Sequence, residues 1–126
     1  MNKKQNEELM QKAEDALQSS YVKILRNDKT IKDSYNGQTA ALGVTIAMSG
    51  LRPALAIYQK ETEECDKLQI LNAIAFMLGI NQERAGEALF RNVIECDSNQ
   101  LNDYKRKIID CSIALKQVIR TYKLVK

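Results

Sequence analysis

The stretch Asn36-Gly37-Gln38-Thr39-Ala40-Ala41-Leu42-Gly43-Val44-Thr45-Ile46-Ala47-Met48-Ser49-Gly50-Leu51-Arg52-Pro53-Ala54-Leu55-Ala56-Ile57-Tyr58 decides the fold. It is apolar, breaks at Ser49-Gly50 and restarts at Leu51-Arg52-Pro53, the pattern of two helices joined through a tight corner. Gly50 suits a left-handed position that ends one helix. Pro53 suits the first turn of the next, where its missing N–H is not needed.

The rest of the chain extends this reading. With 126 residues, one proline and five glycines, a single domain spanning residues 1–126 can bury its own core. The residue set is rich in Ala, Leu, Gln, Glu and Lys, which lose little entropy in a helix. The expectation is an all-α, single-domain bundle of about five to six helices with long N- and C-terminal helices. From Asn2 to about Asp33 no Gly or Pro occurs, and Met10, Ala13, Leu17, Tyr21, Ile24 and Ile31 fall on one helical face. Lys12, Lys23, Arg26 and Lys29 lie off that stripe, and Asn36-Gly37 reads as the turn that follows.

A second helix over about Gln38 to Met48 is apolar on nearly all sides, which predicts a position in the middle of the domain. A third, about Pro53 to Glu63, groups Leu51, Leu55 and Tyr58 and turns Arg52, Gln59 and Lys60 outward. A fourth, about Asp66 to Leu78, is closed by Gly79. A fifth starts from the cap residue Asn81 and runs to about Glu95. The sixth begins at Asp97-Ser98-Asn99 and carries Leu101, Tyr104, Ile108, Cys111, Leu115, Val118, Tyr122 and Val125 in alternating steps of three and four. On its far side Lys116, Arg120 and Lys123 stand at i, i+4 and i+7, with Arg106 on the same general face.

Composition excludes several kinds of chemistry. The chain has no histidine, so the usual neutral-pH base and the commonest metal ligand are missing, and a Ser or Cys nucleophile has no imidazole to activate it. Cys65, Cys96 and Cys111 are odd in number, widely spaced and without a close Cys or His partner, which reads as buried thiols in a reducing compartment. Glu61, Glu63, Glu64 and Asp66 could converge as paired carboxylates but sit in a short polar link, where a solvated connection is the simpler reading. No Gly-rich phosphate loop occurs. The expectation is no catalytic residue, no metal and no cofactor.

Met1 to Lys12 is polar and mixed in charge, and no apolar run approaches the length of a membrane span. This predicts a soluble, cytoplasmic protein with no membrane partner. The net charge is only +3, but it is unevenly spread: Pro53 to Asp103 holds four basic and nine acidic residues, Tyr104 to Lys126 seven basic and one acidic. An anion should meet the two ends of the sequence and avoid the middle.

Three binding modes follow. Ala75 to Leu89, with Gly79 at the corner, looks like a DNA-binding helix-turn-helix, although its reading head carries Glu83, Glu87 and Glu95 against Arg84 and Arg91. The seam of the sixth helix could instead pair with a partner protein, making the chain a helical adaptor. The basic side chains of the first and last helices could track a nucleic-acid backbone, with Tyr21, Tyr35, Tyr58, Tyr104 or Tyr122 as stacking platforms.

A resemblance bears on this choice. Leu42-Gly43-Val44-Thr45-Ile46, Ser49-Gly50-Leu51 and Ala54-Leu55-Ala56-Ile57-Tyr58 resemble the small helical subunit of type III-B CRISPR effector complexes, the Cmr small subunit. Ala88-Leu89, Asp97, Tyr104 and Ala114-Leu115-Lys116 follow in the same order. Ala114 stands where that family favours tryptophan, Gln117 where it favours arginine and Ile57 where it often has phenylalanine; Lys116 is retained. The resemblance implies a non-catalytic all-α subunit that stacks with copies of itself, associates with other Cas and Cmr subunits, and meets guide RNA paired to target RNA. The basic positions expected to touch phosphates are Lys23 and Arg26 on the first helix, Arg52 at the Gly-Leu corner, and Lys116, Arg120 and Lys123 on the last. Of these, Lys116 matches a family motif directly; the others follow from charge and helical face.

Overall fold

A computed structural model describes residues 1–60 and 66–126. Six helices dominate the described residues: α1 (Lys3–Gln18), α2 (Asp33–Ser49), α3 (Leu51–Ile57), α4 (Lys67–Met77), α5 (Ala85–Glu95) and α6 (Ser98–Ile119). Two short strands, β1 (Thr30–Lys32) and β2 (Lys123–Val125), pair in parallel with Thr30 opposite Lys123 and Lys32 opposite Val125. The helical architecture agrees with the sequence reading; the two strands have no counterpart in it. Glu61, Glu63, Glu64 and Cys65 lie outside the described residues, while Asp66 caps α4 by accepting the Leu68 N–H at 3.1 Å.

The corner at Gly50 forms as the sequence suggests. Its φ of 88° is positive, its N–H donates to Ile46 O at 2.8 Å, and Pro53 falls in the first turn of α3. Gly79, at φ 97°, closes α4 in a Schellman arrangement: the Gly79 N–H donates to Phe76 O at 3.0 Å and the Ile80 N–H to Ala75 O at 2.9 Å. The first and last helices start with reciprocal side-chain caps, Asn2 with Gln5 on α1 and Asp97 with Gln100 on α6.

The centre of the bundle is α4, not α2. Leu68, Ile70, Leu71, Asn72, Ala73, Ile74, Ala75 and Met77 are all buried as α4 packs against α5, α1 and α6. By contrast α2 buries one stripe, Tyr35, Thr39, Leu42 and Ile46, and leaves Val44 60% and Met48 83% exposed. Size accounts for the difference, because the outward positions of α2 are mostly small while α4 carries Leu68, Ile70, Leu71, Ile74 and Met77.

Both terminal helices are shorter than their stripes suggest. The first ends at Gln18, where the Ser19 N–H and hydroxyl both donate to Ala16 O, at 3.1 and 2.8 Å. Beyond it Val22 and Ile24 are buried and Lys23 is exposed, a two-residue alternation that belongs to extended chain. The last ends at Ile119, and β2 continues from it. Asn36-Gly37 lies inside α2 instead of before it, α3 stops at Ile57, and α5 starts at Ala85 because Arg84 adopts a left-handed φ of 53°. The α6 seam of Ile108, Cys111, Leu115 and Val118 is buried inside the bundle, with α1, α2 and α4 packed on α6. It is therefore occupied internally, which removes the basis for the adaptor reading.

Candidate nucleic-acid interface

The segment between α1 and α2 builds a basic surface, with Lys23, Arg26 and Lys29 exposed on it. Leu25 bridges Ile31 in antiparallel fashion, and the turn between them closes with Arg26 N–H donating to Thr30 O at 2.9 Å and Lys29 N–H donating to Arg26 O at 3.0 Å. Lys29 takes a left-handed backbone, φ 66°, the position that glycine usually fills in such a hairpin. Asp28 accepts the Thr30 N–H at 3.1 Å and the Thr30 hydroxyl at 2.6 Å. These bonds, with the Arg26 charge adding, hold its carboxyl below the usual range.

Ile31 is fully buried and anchors the hairpin, and the other side of β1 takes β2. Lys123 is thus seated opposite Thr30, so residues from the two basic ends of the sequence share one small sheet. Lys23 is fixed from below: its N–H donates to Gln69 Oε1 on α4 at 2.8 Å. Lys23, Arg26, Lys29, Arg120, Lys123 and Lys126 are exposed. Lys23 and Arg26 therefore stand on this loop, and Lys123 on a strand, a correction to the helical placement of all three. Lys29 also belongs to this surface, and sequence reasoning misses it as a site residue. The signal available is the three-residue spacing of Lys23, Arg26, Lys29 and Lys32, which suits neither a helix stripe nor a buried strand.

Lys116 and Arg120 occupy the end of α6, one turn apart, with Lys116 half-buried. Arg52 does not face out as expected. Its Nε donates to Val93 O at 3.0 Å and its Nη2 to Cys96 O at 2.8 Å, so it braces the carbonyl end of α5. Nor do the tyrosines offer a row of platforms. Tyr35 and Tyr58 are buried, the Tyr58 hydroxyl donates to Gln38 O at 2.6 Å, and the Tyr122 hydroxyl donates to Glu14 Oε1.

The α4–α5 pair differs from a DNA-reading helix-turn-helix. Seven residues, 78–84, connect the two helices, whereas such motifs use about 3–4. Arg84 is paired with Glu87, which holds that carboxyl below its usual range through the hydrogen bond and leaves the reading head short of free positive charge. Among the described residues, no helix is long and apolar enough to cross a membrane.

Residues 2–122 match the family described as CRISPR-associated protein (Cas_Cmr5). The chain belongs to the Cmr5 family. Cmr5 is a small subunit of the type III-B Cmr system, so membership in a multi-subunit Cmr assembly comes with the family, as the resemblance of the Gly50 corner implied. The fold of this Cmr5-family chain is similar to the X-ray crystal structure of a CRISPR-associated Cmr5 family protein from Thermus thermophilus. The TM-score is 0.66 at 18% identity, covering 92% of this chain and 90% of that one. No curated protein matches by sequence.

Proposed function

We propose that this Cmr5-family chain, acting as one helical domain in the cytoplasm, is a non-catalytic subunit of a type III-B effector. In this role it stacks with copies of itself beside other Cas and Cmr subunits and holds the backbone of guide and target RNA during antiviral defence. The observation that carries the reading is the family match over residues 2–122, joined to a basic surface drawn from both ends of the sequence. Lys23, Arg26, Lys116, Arg120 and Lys123 act as phosphate contacts that fix position without reading bases. Arg52, committed to α5 carbonyls, supports the corner instead. The lack of histidine supports a holding role over a chemical one. Exposed Val44 and Met48 on α2 support contact with another protein.

Co-purification with tagged neighbouring Cmr subunits tests membership, and RNA binding across a salt series tests the surface. The triple change Lys116→Ala/Arg120→Ala/Lys123→Ala is expected to weaken single-stranded RNA binding at low salt. It should also lower the log–log salt slope by about 2, at roughly 0.7 per lost contact. Unchanged binding removes the assigned C-terminal surface, and turnover of RNA by the purified chain removes the non-catalytic role.

A further inference from the structure

Between the end of α1 and the hairpin lies an open groove of about 420 Å³, lined in part by Gln18, Ser19, Ser20, Lys23, Arg26 and Lys29. No acidic residue lines it. Among the described residues, Lys23, Arg26 and Lys29 make no ion pair, and the nearby Asp28 is turned onto Thr30. No aromatic ring lines the groove either, so a base has nothing to stack on. Lys29 occupies a left-handed backbone position that glycine would take without strain, which makes a lysine there a local strain at the mouth of a cationic cleft.

We propose that this groove grips a phosphodiester of single-stranded RNA, with Lys23, Arg26 and Lys29 supplying the charge and the Ser20 hydroxyl supplying a donor, the Ser19 hydroxyl being spent on Ala16 O. It rests on the RNA-holding reading above and deepens it, moving the principal contact from the C-terminal helix to the α1–β1 loop. Lys29 becomes a contact residue, and the grip is indifferent to sequence because only backbone groups reach it. The tie from the Lys23 N–H to Gln69 and the β1–β2 pairing hold the cleft in shape before RNA arrives.

The test is amide NMR of the full chain titrated with a short oligouridylate at low salt, with inorganic phosphate as a parallel probe. Shifts should concentrate at residues 18–29, and phosphate should perturb the same amides far more weakly than RNA. Lys23→Ala/Arg26→Ala/Lys29→Gly should weaken RNA binding at least about tenfold and remove about 2 from the salt slope. Lys29→Gly alone relieves the strained backbone, so weaker binding without loss of thermal stability isolates the charge, and Lys29→Arg should restore binding. If RNA shifts other residues and the triple variant binds as the parent does, the groove assignment falls while the RNA reading stands. If the parent chain shows no shift with RNA, both fall. Phosphate binding as tightly as RNA would mean a free-anion pocket and overturn the strand grip.

Discussion

Asn72 is a buried polar side chain on the central helix, and its two ends do different work. Its Oδ1 accepts the Gly86 N–H at 2.8 Å, which satisfies a backbone donor that α5, lacking a side-chain cap of its own, would otherwise leave orphaned. Its Nδ2 donates to Gln69 Oε1 at 3.4 Å, the same oxygen that holds Lys23. This contact explains why position 86 is glycine. A Cβ there would stand 2.7 Å from Leu71 Cβ and 3.0 Å from both Asn72 N and Asn72 Oδ1. Gly86→Ala should therefore destabilise the chain by about 1–3 kcal/mol despite alanine's better helix propensity, because the two helices must part. Urea unfolding of the variant measures this, and a stability at or above the parent's would show that α4 and α5 can relax freely. Nothing in the sequence announces the contact: a glycine inside a helix reads as a weakness until the neighbour it touches is known. Arg52 escapes a sequence reading for the same reason, since its acceptors Val93 and Cys96 lie far along the chain and belong to no local motif.

Helices α1 and α6 are legible in outline because a periodic apolar stripe coincides with real burial, and the end of α4 and the start of α6 because Gly79 and Asp97 mark them by local chemistry alone. What stays hidden depends on partners distant in sequence. The stripe of α1 runs on through Tyr21, Ile24 and Ile31 because an alternating extended segment can match helical spacing by coincidence, and Ile31 is buried in a strand. In α2 the reverse error arises: Asn36-Gly37 has turn chemistry, yet the buried Tyr35 and Thr39 on either side hold it helical, with the Thr39 hydroxyl donating to Tyr35 O at 2.7 Å. That override has a testable cost. Gly37 is exposed and a Cβ there would meet nothing within 4 Å, so Gly37→Ala should stabilise the chain by about 0.5–1 kcal/mol. A thermal melt that fails to rise would mean the site is not helical in solution. Of the candidate surface, the residue types are legible and their grouping is not, because the β1–β2 pairing that groups them has too few residues to leave a periodic signature.

Across the whole molecule, stability should fall on the alkaline side. Burial pushes the Cys111 thiol up from 9.0 to about 12, with the Asp110 charge adding. Tyr122 is also raised, first by burial and then by its bond to Glu14. A group raised in the folded state stabilises fully below its unfolded pKa, so the contribution of Cys111 is intact to about pH 9 and drains away toward pH 12, at up to about 1.4 kcal/mol per unit. Urea midpoints from pH 7 to 11 should show the decline, and Cys111→Ala should flatten it; an unchanged slope would place the effect elsewhere. On the acid side Asp28, Glu87 and Asp103 are all lowered by their partners, so they favour the fold above the ordinary carboxylate range and cease to as pH drops through their depressed values. The parallel ladder carries a different consequence, one of timing. It joins positions about ninety residues apart, an entropically demanding closure that must wait for the later strand. During translation the hairpin therefore leaves the ribosome well before its mate exists, and the small sheet that ties the two ends of the chain together cannot set until α6 has emerged.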